Sequence, residues 1–126
     1  MRPGVEKVIL IVASNSDLAK IWARHLERQS QLVHVVTSQA EAVEFLCDNA
    51  PDVVVLDVML EDGSAIATAD FVCYRQPEAR IVFVTRSTFF SDGSLFQHIP
   101  NTAAIIPERT EPTDLAEIVA YHGRAS

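Results

Sequence analysis

Pro51-Asp52-Val53-Val54-Val55-Leu56-Asp57-Val58-Met59-Leu60-Glu61-Asp62-Gly63 decides how the rest of this chain is read. Val53 to Leu56 is an unbroken apolar run that ends in the carboxylate of Asp57. Such a run reads as a strand covered on both faces, as in a parallel sheet. Val58 to Gly63 follows as a loop with a turn signal at its glycine. In an open α/β sheet, an acid at the carboxyl end of a central strand stands where such folds bind their ligands.

Working outward, Lys7 to Val12 (KVILIV) gives a first strand and Leu32 to Val36 a short second one. Between them, Ser14 and Asn15 are the leading N-cap candidates for a helix reaching about Gln29. Its apolar stripe holds Leu18, Ile21, Trp22 and Leu26, with Ala19 and Ala23 as further candidates and Trp22 in the core or at its edge. Ser38-Gln39-Ala40-Glu41 matches a capping box, because Glu41 stands three residues after Ser38. The helix it opens carries Ala42, Val43, Phe45, Leu46 and Ala50, and Pro51 closes the connection to the central strand.

Ser64 to about Arg75 predicts a third helix with Ile66, Ala69, Phe71 and Val72 as apolar residues, ended at the latest by Pro77. Arg80 to Val84 (RIVFV) is the fourth strand, with Thr85 at its carboxyl end. Arg86 to His98 is rich in weak helix formers, with Gly93 in its middle, and predicts a short or irregular helix. Ala103 to Ile106 is the fifth strand. Thr110-Glu111-Pro112 starts the last helix, where a proline suits the first turn. That helix buries Leu115, Ile118 and Val119, and the chain from His122 is expected to fray. Alternating βα units with short connections predict an α/β class: a doubly wound parallel sheet with helices on both faces. The expectation is a single domain over residues 1–126 with its core at about 7–121.

Composition limits the function classes. At 126 residues, 48% hydrophobic and 21% charged, the chain can bury a real core and does not resemble a disordered segment. A formal net charge of -7 argues against direct nucleic acid binding by this domain. No apolar run approaches the roughly 20 residues that span a bilayer. The start carries Glu6 before the first apolar run, unlike a signal peptide, so a cytoplasmic location is expected. Cys47 and Cys73 are expected as buried free thiols. His25, His34, His98 and His122 do not have metal-ligand spacing.

With Asp57 after VVVL and Ile81-Val82-Phe83-Val84-Thr85 downstream, the chain resembles the receiver domain of bacterial two-component response regulators. The resemblance runs from about Lys7 to Tyr121. Residues 51–63 are similar to the family's phosphoacceptor strand and loop, and Ile81 to Thr85 to its fourth strand with the switch hydroxyl. It implies a flavodoxin-like sheet of order 2-1-3-4-5 and a place in two-component signal transduction or a phosphorelay. In that family the acceptor aspartate sits beside an acidic pair closing the first strand, and these carboxylates hold Mg²⁺. A lysine ending the fifth strand contacts the phosphoryl group, a hydroxyl after the fourth strand bonds to it, and an aromatic on the fifth strand reports the switch.

Carried onto this sequence, Asp57 fills the acceptor position and Thr85 the hydroxyl position. The acidic pair falls at Ala13 and Ser14, the lysine at Glu108, the switch aromatic at Ile105, and the proline after the lysine at Arg109. The proline of the acceptor loop falls at Glu61, and the small residue after the switch threonine at Arg86.

Phosphoryl transfer to a carboxylate depends on positioning and on cancelling developing charge. Mg²⁺ is a hard cation that takes oxygen ligands, one or two of them carboxylates. Only Asp57, a backbone carbonyl near Met59 and the Ser14 hydroxyl remain as donors, and Glu108 brings negative charge where positive is needed. The expected reading is a degenerate or pseudo-receiver: no enzyme, no resident metal or cofactor, acting through protein partners in a signalling pathway. The alternative is a phospho-accepting receiver with Asp57 as nucleophile, the one case that calls for Mg²⁺.

Arg86, and after it Arg109, are candidate salt-bridge partners for Asp57 or Glu108, because a guanidinium fork suits a carboxylate; plain solvent exposure is the other reading of both. Phe89, Phe90 and Phe96, with the last helix, are the candidate interface, against core packing of at least two of the three. Homodimerisation through that face follows from family analogy. A hydrolase built on an Asp57–Glu108 acid pair lacks any supporting motif, and a flavodoxin-like redox protein lacks a glycine in its first loop, Ala13 to Asp17.

Overall fold

Runs of aliphatic and β-branched residues make the strands of this chain, and capped amphipathic segments make its helices. The computed structural model describes residues 7–28, 32–85 and 99–125. The strands are β1 (Val8–Val12), β2 (Leu32–Val36), β3 (Val53–Asp57), β4 (Arg80–Thr85) and β5 (Thr102–Pro107). The helices are α1 (Ser16–Glu27), α2 (Gln39–Asp48), α3 (Ala65–Arg75) and α4 (Pro112–Ala125). The strands form one five-stranded sheet of order β2-β1-β3-β4-β5, every pair parallel. This is the doubly wound, flavodoxin-like order, with β3 in the middle.

Strand alternation divides the core into two layers. Ile9, Ile11, Val53, Val55, Val82 and Val84 pack on one face with α1 and α4 residues such as Trp22, Leu26, Leu115 and Val119. Leu10, Val12, Val54, Leu56, Ile81 and Phe83 pack on the other with Ala42 and Leu46 of α2 and Ala69 and Val72 of α3. All five residues of β3 are buried, so it is covered on both faces. Each large aliphatic side chain buried in this way contributes about 1.5–3 kcal/mol.

The loops before α1, α2 and α3 each end in a side-chain cap. The Asn15 side chain accepts from the Leu18 N–H at 3.1 Å, Ser38 Oγ from the Glu41 N–H at 3.1 Å, and Ser64 Oγ from the Ala67 N–H at 3.1 Å. Glu41 Oε1 reaches back to the Thr37 N–H at 2.8 Å, completing the box read from the sequence one residue earlier than expected. Such caps stabilise a helix by about 0.5–2 kcal/mol each.

The structure corrects several expectations. Ile21 is 43% exposed, because Ala19, Trp22, Ala23 and Leu26 define the buried face of α1 and Ile21 lies about 100° around from Trp22. Ile66 is 39% exposed, and α3 buries Ala65, Thr68, Ala69 and Val72 instead. Cys47 is exposed in the last turn of α2, about 100° around the helix from the buried Leu46, and Cys73 is half-buried; both are free. Burial pushes the Cys73 thiol up, partly offset by a hydrogen bond to the Asn101 backbone, so it is not an activated nucleophile. The chain does not fray at His122: α4 continues to Ala125, and Gly123 is buried. The expected irregular helix, Arg86 to His98, lies outside the described residues.

Candidate functional site

The sheet register brings the carboxyl ends of β3, β4 and β5 side by side. Asp57 is the last residue of β3 and pairs with Val84; Thr85 ends β4 and pairs with Pro107. The ladder continues one residue further, since the Glu108 N–H donates to the Thr85 carbonyl at 2.7 Å. Asp57, Thr85 and Glu108 therefore lie along one edge of the sheet. Ala13 and Ser14 reach the same edge from β1, with the Ala13 N–H donating to the Val36 carbonyl at 3.1 Å.

The Asp57 side chain is only 3% exposed, and its Oδ1 accepts from the Met59 N–H at 2.8 Å. Ala13 is buried and supplies no donor atom. Ser14 is half-buried, and its Oγ accepts from the Glu61 N–H at 2.7 Å, a contact spanning 47 residues of sequence. Ser14, Asn15, Glu61 and Glu108 line an open polar depression of about 410 Å³. Two of those four residues are acids, so its lining is negative. A depression of about 470 Å³ opens at the opposite, amino edge of the sheet, between Pro51, Asp52 and the turn from Gln76 to Ala79. It contains none of the residues of the acceptor edge.

The loop after Asp57 has a further attachment. The Gln39 N–H donates to the Asp62 carbonyl at 2.9 Å, and Gln39 Oε1 accepts from the Ser64 N–H at 2.8 Å. Gly63 turns the chain between them at φ 115°, with the Gln39 side chain against it. Only the turn at Gly63 was visible in sequence; Gln39 carried no signal beyond its place in the capping box.

Of the remaining candidate residues, Ile105 is half-buried on β5 opposite Phe83 and packs into the α2–α3 layer. Arg109 is exposed in the turn after β5. Arg86, Phe89, Phe90 and Phe96 lie outside the described residues.

The residues present do not fit a magnesium ion. A hard divalent cation is held by one or two carboxylates with free oxygens close together. Here the Asp57 carboxylate is nearly shut from solvent, Ala13 offers a methyl group, and the Ser14 hydroxyl is engaged by a backbone donor. Among the described residues, no three His, Cys, Asp or Glu side chains come together as a metal-holding group. No helix among them is long and apolar enough to cross a membrane.

Comparison with known proteins gives a consistent family. The chain is 27% identical over 82 residues to the photosynthetic apparatus regulatory protein RegA of Rhodobacter capsulatus, a match covering 65% of this chain and 45% of RegA. The chain thus spans about half the length of that curated relative. Its fold superposes on a CheY-like response regulator receiver domain protein from Methanospirillum hungatei with a TM-score of 0.87, at 19% identity and 96% coverage of both chains. It superposes on a response regulator from Burkholderia pseudomallei, crystallised with a phosphorylated aspartic acid and a calcium ion, with a TM-score of 0.83 at 18% identity, covering 95% of this chain and 70% of that one. Residues 9–93 match the model of the response regulator receiver domain, a span that holds nearly all of β1, all of β2 to β4, and Asp57 and Thr85. With that match on top of the 2-1-3-4-5 sheet and an aspartate ending its middle strand, the chain belongs to the response regulator receiver domain family.

Proposed function

We propose that this chain is an atypical receiver that works by binding protein partners in a signalling pathway, without conventional Mg²⁺-dependent phosphorylation of Asp57. The observation that carries the reading is the state of the two positions that would serve a phosphoryl group. The residue in place of a metal-holding acid, Ser14, is an uncharged hydroxyl that accepts the Glu61 N–H. The residue in place of the charge-cancelling lysine, Glu108, adds a second acid to the same depression. An incoming phosphodonor is anionic, and where the family places a lysine this depression carries the acid Glu108. The partner-facing surface in this reading includes Phe89, Phe90, Phe96 and α4, with Arg86 or Arg109 as the salt-bridge partner of the acids. Self-association through that surface and a cytoplasmic location belong to the same proposal.

The competing reading is a phospho-accepting receiver, supported by the retained Asp57 at the end of β3 and Thr85 at the end of β4. Incubation with acetyl phosphate and Mg²⁺, followed by intact-mass measurement, separates the two. The expected result is an unchanged mass. A phosphoryl adduct that disappears in Asp57→Asn overturns the proposal.

A further inference from the structure

The loop that follows Asp57 is fastened at both of its ends to different elements. At its start, the Met59 N–H donates to Asp57 Oδ1 at 2.8 Å. Two residues on, the Glu61 N–H donates to Ser14 Oγ at 2.7 Å, which ties the loop to the turn between β1 and α1. At its far end, Gln39 clasps it from both sides of Gly63, donating its N–H to the Asp62 carbonyl at 2.9 Å and accepting the Ser64 N–H at 2.8 Å. Ser64 in turn caps α3 through the Ala67 N–H. The loop therefore links the first turn of α2, the first turn of α3 and the β1–α1 turn through backbone groups and the uncharged side chains of Ser14 and Gln39.

We infer that Ser14 and Gln39 are positioning residues that latch the acceptor loop in one conformation, with no cation or phosphoryl group needed to hold it. This deepens the proposed function and rests on it. The Ser14 hydroxyl does by hydrogen bonding what a loop around a charged site otherwise leaves to a ligand. It brings the Glu61 peptide onto the β1–α1 turn and keeps the Glu61 residue on the rim of the depression, beside Glu108. Through Gln39, the same loop conformation is passed to the start of α2, so the α2–α3 face is held in a fixed arrangement whatever the state of Asp57.

Backbone amide exchange by NMR on the full chain tests the latch. In the wild type, the Glu61 and Ser64 amides exchange more slowly than free amides. Ser14→Ala speeds Glu61 by about two- to tenfold, the range set by one net hydrogen bond. Ser14→Thr, which keeps a hydroxyl, retains the protection, and Gln39→Ala speeds Ser64 and Glu61 together. The β3 amides of Val54 to Leu56 serve as the internal control for folding. Adding Mg²⁺ to the wild type leaves Glu61 unchanged. An unprotected Glu61 amide in the wild type, equal rates in the wild type and Ser14→Ala, or protection that appears only with Mg²⁺ overturns the latch. A phosphoryl adduct on Asp57 with Glu61 still protected sinks the non-phosphorylated reading and leaves the latch standing, so the two failures are separable.

Discussion

Gly63 is the residue on which the acceptor loop bends, and its backbone explains why a larger residue does not serve. At φ 115° it occupies a region that L side chains rarely adopt, and a Cβ there would collide with the side chain of Gln39. Both penalties act together, because Gln39 is held in place by its bonds to Asp62 and Ser64. Gly63→Ala is expected to destabilise the protein by about 1–3 kcal/mol, the usual cost of forcing a side chain into such a conformation. The chain has one tryptophan, and Trp22 is 1% exposed in the core, so its fluorescence reports unfolding. A urea midpoint for Gly63→Ala equal to that of the wild type would show that the loop relaxes at no cost. Asp57 poses the opposite problem at the same scale. Burying an ionised carboxylate is costly without donors, and the Met59 N–H supplies one of them.

Among the elements, α4 departs most from what its sequence suggests. Its last turn, expected to fray, packs on the amino edge of the sheet, with the backbone of Gly123 close to Lys7 and Val53. His122 sits in that turn with Nδ1 buried and without a hydrogen-bond partner among the described residues, and Arg80 Nε is buried likewise at the start of β4. Burial, and after it the positive charge of Arg80, hold the His122 imidazole below its ordinary value of 6.5. Among the described residues, this edge also carries Lys7, Glu78 and Asp52, whose Oδ2 accepts from the Val8 N–H at 2.8 Å. With the folded value below the unfolded one, the unfolded chain takes up its proton first as the pH drops. The stability contributed by neutral His122 is thus present above about pH 6.5 and is lost as the pH falls through the folded value. Urea midpoints measured between neutral and mildly acidic pH are expected to fall more steeply in the wild type than in His122→Gln. Parallel slopes would remove His122 as the cause. This turn was illegible in sequence because a histidine and a glycine near a chain end signal nothing about what they pack against. The strands were legible for the opposite reason: KVILIV, VVVL and RIVFV are apolar on both faces only if both faces are covered. The phase of α3 was not, since the bulky Ile66, Phe71 and Tyr74 share one side of the helix while Ala65, Thr68, Ala69 and Val72 took the buried side. At the site, Asp57 was legible from its place after the central run. The Ser14–Glu61 and Gln39–Ser64 contacts were not, because side-chain bonds to backbone amides 47 and 25 residues away leave no local pattern.

Across the whole molecule, the sheet has the 2-1-3-4-5 order, and its carboxyl edge carries Ser14 and Glu108 where the family resemblance implies an acid and a lysine. The scaffold and the chemistry of the edge are thus separable: β3, β4 and β5 hold Asp57, Thr85 and Glu108 in line through backbone bonds that do not depend on those side chains. Changing the edge residues alone should then convert the site, and the conversion should be cooperative. Ser14→Asp by itself adds a third acid near Glu61 and Glu108 and, with no counter-charge, raises the repulsion at the rim. Glu108→Lys by itself supplies a cation but no second carboxylate for a metal, and its ammonium is free to pair with the acids already present. Together, Ser14→Asp and Glu108→Lys place two carboxylates and one ammonium around the end of β3, the set that a magnesium ion and a phosphoryl group require. The double variant is expected to bind Mg²⁺ by calorimetry and to gain a phosphoryl group from acetyl phosphate at Asp57, with the gain lost on further substitution Asp57→Asn. Each single variant is expected to remain uncharged. If either single variant is phosphorylated readily, the two positions do not act together. If the double variant folds yet binds no Mg²⁺, the obstacle lies outside these two positions, with the buried Ala13 methyl group and the 3% exposure of Asp57 the next restrictions to relieve.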